Sequence, residues 1–166
     1  MESQTIILVN KPKGITSFDV IRQLRRKLGI RKMGHAGTLD PLASGLMIIG
    51  VNEGTKKLEE YLKLPKTYEA DVLLGIQTTT GDMEGDILAE VPKEEVEKKL
   101  SDTDLTTLFK NFIGTHTLAV PKYSAIKVDG KALYTYAREG QEPPRVPEKE
   151  MEIRDIELRI CGSRSK

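Results

Sequence analysis

The sequence predicts an α+β fold, a mixed and mainly antiparallel sheet flanked by helices. Short β-branched, apolar runs such as Thr5 to Val9 and Leu46 to Val51 read as strands. Apolar residues at Phe18, Ile21, Leu24 and Leu28 recur with helical spacing. The two patterns mix without the regular strand–helix beat of a doubly wound sheet, which favours α+β. With 166 residues the chain has room for one domain with a real core and is short for two.

The elements follow in order. Thr5 to Val9 ends at Lys-Pro-Lys-Gly, a strand followed by a turn. Thr16 or Ser17 caps the first helix, Asp19 places negative charge in its first turn, and Gly29 stops it. GHAGTLDPLASG, residues 34–45, reads as a loop, and Leu46 to Val51 as a buried strand. A helix is expected from Glu53 to Leu62, and a strand with mixed faces from Tyr68 to Gly75. TTTGDMEGD is a polar connection, followed by helices at about Lys93 to Leu100 and Asp104 to Phe112, with Gly114 as the stop. YSAIKVDGKALYTYAREG predicts a strand, an Asp-Gly turn and a short helix ended by Gly140. Pro143, Pro144 and Pro147 force an extended link. Met151, Ile153, Ile156, Leu158 and Ile160 then predict a long strand with a bulge near Asp155.

Composition narrows the function classes. A single cysteine, Cys161, makes no internal disulfide and supplies at most one thiolate ligand, which favours a reducing compartment. The start, MESQTIILVN, lacks the basic region of a signal peptide, and no apolar run approaches the ~18 residues of a membrane span. A cytoplasmic protein without membrane attachment is expected. Charge is unevenly spread: Lys11 to Lys32 holds eight basic residues and one acid, whereas Asp82 to Asp104 holds nine acids and three lysines. Such asymmetry fits one face that attracts a polyanion, or two ordinary solvated surfaces.

Several chemistries lack their signature. There is no Walker-type loop, no GxGxxG after a strand and no GxSxG elbow. His35 and His116 are too far apart, and too poor in neighbouring ligands, to suggest zinc. No metal and no cofactor is expected. In GHAGTLDPLASG, Pro41 biases Asp40 towards extended backbone, and the glycines let the chain pass close to a bulky ligand. An isolated Asp-Pro is more often the chemistry of a turn. Spacing alone leaves Asp40 either a turn-former or a carboxylate held out for catalysis.

The longer string is more specific. NKPKGITSFDVIRQLRRKLGIRKMGHAGTLDPLASGLMIIGVNEGTKK, then KTYEADVLLGIQTTTGDMEGD, then YSAIKVDGKALYTYAREG, resembles the tRNA pseudouridine synthase B (TruB) family over nearly the whole chain. That family isomerises the T-loop uridine of tRNA, position 55. By resemblance, Asp40 matches the catalytic aspartate, Tyr68 the aromatic that stacks on the target base, and His35 the histidine that contacts the T-loop. Lys11 and Pro12 match a motif packed behind the catalytic loop. The resemblance implies tRNA as partner, with Arg22, Arg25, Arg26, Arg31 and Lys32 near its phosphates. The segment at about 121–142 matches a thumb-like insertion, with Lys127, Lys131 and Arg138 as phosphate partners. Asp40 and Tyr68 are expected to line one cleft, with the arginine face at its rim. The carboxylate's route, through the sugar carbon, the pyrimidine ring or a glycal, stays open.

The resemblance also implies something missing. In the family, a pair like Ser165-Lys166 leads into a Gly-Thr-Tyr-Ile-Arg motif whose arginine pairs with the aspartate. Residues 1–166 are therefore expected to be the N-terminal part of a catalytic domain, without the C-terminal RNA-binding domain. A tRNA-binding module or inactive fragment of such an enzyme is the alternative. Oligomeric state is not legible.

Overall fold

The computed structural model describes residues 5–124 and 126–159. Helices combine with strands whose pairings, among the described residues, are all antiparallel, so the fold is α+β. Among the described residues the strands form four small sheets, and the chain divides into two compact units, Met1–Ala70 and Asp71–Lys166.

The first unit is built on a three-stranded sheet. Strand β1 (Thr5–Lys11) pairs with β3 (Gly45–Val51), which pairs in turn with β2 (Met33–His35). Helix α1 (Ser17–Leu28) packs on one face, burying Val20 and Ile21 against Met33, Met47, Ile49 and Val51. Thr16 is its cap: the side chain accepts from the Asp19 N–H, and the Asp19 carboxylate accepts from the Thr16 N–H at 2.9 Å. Gly29 closes the helix in the left-handed region at φ 68°. Of the periodic residues, Ile21 is in the core and Leu24 packs against it. Phe18 and Leu28 are exposed, whereas Ser17, Val20 and Ile21 face inward. The Phe18 ring is exposed, with the guanidinium groups of Arg22 and Arg25 at 5.6 and 5.8 Å from its centre.

The expected Glu53–Leu62 helix is two pieces, a 3₁₀ segment at Asn52–Lys57 and α2 at Leu58–Leu62. Tight packing on the sheet explains the first. A Cβ at Gly50 would lie 2.7 Å from the Gly54 carbonyl oxygen and 2.9 Å from the Thr55 Cα, so backbone rests directly on backbone. Gly50→Ala should therefore cost about 2 kcal/mol or more, because neither contacting group is a side chain that can move aside. Urea unfolding followed by circular dichroism measures this, and wild-type stability in the variant would contradict the packing. Strand β2 is an addition to the loop expected at 34–45: Gly34 pairs with Gly50 and His35 with Ile49.

The segment expected as a strand from Tyr68 to Gly75 is not one. Residues 65–73 belong to no helix or strand. Propensity makes a strand only where another strand supplies backbone partners, and none among the described residues does.

In the second unit, β4 (Ile76–Thr78) and β5 (Ile87–Glu90) form a hairpin around TTTGDMEGD. Helices α3 (Lys93–Ser101) and α4 (Leu105–Lys110) follow as expected, the latter capped by Asp104. Strand β6 (Gly114–Ala119), not anticipated beyond its glycine, pairs with β9 (Glu148–Ile153). Pairing ends where Ile153 meets Gly114, the first residue of β6, so no strand continues through Asp155 to Leu158. The short hairpin of β7 (Lys127–Val128) and β8 (Lys131–Ala132) turns at Asp129-Gly130 and leads into α5 (Leu133–Arg138). Val120, Val128 and Leu133 make a small core there. Ala125, Ile160, Cys161 and the Ser165-Lys166 pair lie outside the described residues.

Candidate active site

Asp40 sits in the loop between β2 and β3, and the peptides on both sides of it are held by α1 and the end of β1. Before it, the Ser17 hydroxyl donates to the Leu39 carbonyl and accepts from the Leu39 N–H, both at 2.9 Å. After it, the Pro41 carbonyl accepts the Gly14 N–H at 2.8 Å and lies 3.5 Å from the Lys11 ammonium. Lys11, fully buried at the last position of β1, also donates to the carbonyls of Pro12 (3.0 Å) and Ile15 (2.8 Å). A buried ammonium is tolerated only with such partners. The Leu39 side chain joins the core, and the Ala43 N–H closes a turn on the Asp40 carbonyl at 3.0 Å.

The backbone at Asp40 is thus tied down while its side chain is exposed. Among the described residues, no cation pairs with its carboxylate. Turn chemistry and a projecting carboxylate, alternatives in the sequence, coexist: Asp40 starts a turn through its carbonyl and leaves its side chain free.

His35, on β2, lies 2.6 Å through Nδ1 from the Gly37 carbonyl oxygen. A carbonyl can only accept, so Nδ1 carries a proton and Nε2 is left facing away from this bond. Tyr68 lies in the irregular segment after α2 and is 70% exposed. A groove of about 360 Å³ runs along Val9, Pro12, Ile15, Gln23 and Leu24, and neither Asp40 nor Tyr68 lines it.

The basic residues divide by what they already touch. Arg26 and Arg31 are exposed and make no ion pair among the described residues. Arg22 pairs with Asp19, and Arg25 donates to the Met33 carbonyl at 3.2 Å. Lys32 is bound to Glu53 at 2.7 Å, and Lys56 pairs with the same carboxylate. Hydrogen bonds from Lys32 first and Lys56 second pull the Glu53 carboxyl down to about 2. A carboxyl held below its unfolded value stabilises the fold above that value and loses the contribution as pH falls towards the folded one. Acid titration from pH 4.5 to 2 should accordingly destabilise wild type more steeply than Glu53→Gln; identical acid profiles would show that the ion pairs carry no weight. In the second unit, Lys127 and Arg138 are exposed, Arg138 over the Tyr134 ring. Lys131 is engaged by Glu139 (2.5 Å) and Gln141 (2.9 Å).

Residues 25–165 match the TruB family pseudouridylate synthase (N terminal domain). The chain belongs to the TruB family. It is 42% identical over 153 residues to tRNA pseudouridine synthase B of Geobacillus thermodenitrificans, covering 92% of this chain and 49% of that one. It is 46% identical over 157 residues to tRNA pseudouridine synthase B of Fusobacterium nucleatum, covering 92% and 51%. With tRNA pseudouridine synthase 4 of Saccharomyces cerevisiae it shares 46% identity over 135 residues, covering 80% and 32%. The chain therefore spans about half the length, or less, of these TruB-family relatives. Among the described residues, no helix is long and apolar enough to cross a membrane.

Ser17 and Gly14 were not singled out in the sequence as site residues. Their signal was slight: Ser17 was readable only as one of two possible caps. The structure gives the cap to Thr16, which frees Ser17 to turn towards a residue 22 positions away.

Proposed function

We propose that this chain carries the catalytic aspartate of a tRNA pseudouridine synthase, and that Asp40 acts on the T-loop uridine at position 55. The observation that carries this reading is the Asp40 loop, with the flanking peptides anchored and the carboxylate exposed. A nucleophile or base needs such preorganisation, because each freely rotating bond before the side chain dilutes the productive geometry.

The reaction breaks the bond from N1 to the ribose, turns the base and joins C5 to the same sugar carbon. The C5 proton is lost to water and N1 gains one, so composition is unchanged. A carboxylate assists by bonding covalently to the sugar or ring, or by taking a proton on the way to a glycal. The base has to leave its stack to be reached. Tyr68 would then hold it by stacking, worth about 1–3 kcal/mol. His35 Nε2, left unused by the Gly37 contact, is the ring atom that would meet an RNA polar group. Of the basic residues that the resemblance points to, Arg26, Arg31, Lys127 and Arg138 make no ion pair among the described residues and can meet phosphates directly, and Arg22, Arg25, Lys32 and Lys131 reach them after exchanging present partners.

A second reading, a tRNA-binding module without turnover, is favoured by the absence of a cationic partner for Asp40 among the described residues. Incubating the chain with a T-arm stem-loop tritiated at uridine C5 separates the two. Tritium release with stoichiometric pseudouridine supports the enzyme. Binding at low salt with no release at any protein concentration supports the module, and absence of both removes the RNA assignment.

A further inference from the structure

We propose that Ser17 is a positioning residue for Asp40, acting through the peptide planes that precede it. This rests on the reading of Asp40 as the catalytic carboxylate. Ser17 is 3% exposed, and its single hydroxyl serves both the carbonyl and the N–H of Leu39. The Leu39 carbonyl belongs to the peptide that ends at the Asp40 nitrogen, so Ser17 fixes that plane directly. The Leu39 N–H belongs to the plane before it, so rotation about Leu39 is restrained as well. On the far side, Pro41 has its own φ set by its ring, and its carbonyl is held by Gly14 and Lys11. Asp40 therefore spans two restrained planes, and its carboxylate direction is set by few remaining rotations.

Ser17 adds something that the lysine side of the clamp does not. Lys11 supports Pro12 and Ile15 as well as Pro41, so its loss disturbs the whole turn after β1. Ser17 contacts Leu39 alone through its hydroxyl, and it stands at the first position of α1, whose cap is Thr16. Removing the hydroxyl leaves the cap, the helix and the core side chains in place. It frees the backbone just before Asp40. A serine that only stabilised the fold would loosen the unit evenly; one that positions Asp40 loosens residues 39 to 43 and lowers turnover without weakening RNA binding.

The experiment compares wild type, Ser17→Ala and Ser17→Thr as the 166-residue chain, by amide hydrogen exchange and by single-turnover kinetics on the tritiated T-arm stem-loop. Ser17→Ala is expected to speed exchange at the Leu39 and Ala43 amides by about 10-fold or more, with Val20 and Ile49 unchanged. The rate at saturating protein should fall by about 10-fold or more, with the half-saturating concentration within about two-fold of wild type. Ser17→Thr, which retains the hydroxyl, should recover most of both. Even loss of protection across Val20, Ile49 and Leu39 overturns the proposal, as does unchanged exchange at Leu39 or an unchanged rate. If wild type itself shows no turnover, the Asp40 reading fails separately, and the exchange pattern alone then decides whether Ser17 holds this loop.

Discussion

Asp40→Asn is expected to abolish tritium release from the T-arm stem-loop, by at least about 10³-fold, while leaving RNA affinity and thermal unfolding close to wild type. The substitution is nearly isosteric, and among the described residues no ion pair or hydrogen bond to the carboxylate is there to lose. The surrounding bonds run through backbone atoms of Leu39, Asp40 and Pro41, which asparagine preserves. The change therefore separates chemistry from folding. An amide cannot act as a carboxylate nucleophile or accept a proton at neutral pH, and losing such a group removes most of the transition-state stabilisation of a covalent route. Retained turnover in the variant would return Asp40 to the status of a turn residue.

The second large effect falls on stability. Lys11→Met should destabilise the Met1–Ala70 unit by about 2–3 kcal/mol, although the two side chains have similar stems. Lys11 is completely buried, and its ammonium is the side-chain donor to the carbonyls of Pro12 and Ile15. Methionine fills the space but donates nothing, and each part-buried carbonyl left without its donor costs up to about 1–3 kcal/mol. Relief from burying a charge offsets part of this. The Pro41 carbonyl keeps the Gly14 N–H, which limits the loss on that side. A fall of roughly 4–10 °C in thermal midpoint follows for a chain of this length. Differential scanning calorimetry reads it directly, and an equal or higher midpoint would show that the ammonium bonds do not repay its burial.

The pattern of what was legible has a physical cause. Local signals served well: Thr16, Asp19 and Gly29 mark both ends of α1, because capping is decided within a few residues. The Asp129-Gly130 turn and the Asp104 cap are equally local. Helical spacing picks out Ile21 correctly but also Phe18, and only the tertiary position of the sheet decides that Val20 is buried and Phe18 is not. Tyr68 was placed on a strand by composition, but a strand needs a partner, and the sequence of the segment does not contain one. Strand β2 was hidden for the opposite reason. Its glycines read as loop punctuation, whereas Gly34 lies opposite Gly50 in a close-packed sheet. Asp40 is singled out as a candidate by the extended motifs and not by spacing. The hydroxyl of Ser17 and the ammonium of Lys11 reach across 22 and 30 residues, beyond any local rule.

The most direct measurement is a single-turnover reaction of the chain, in excess, with a T-arm stem-loop, followed by position-resolved detection of pseudouridine. The predicted result is one pseudouridine, at the T-loop uridine, with wild type and none with Asp40→Asn at matched RNA occupancy. Equal conversion by both proteins, or saturable binding by wild type with no conversion, would contradict Asp40 as the carboxylate that isomerises the base.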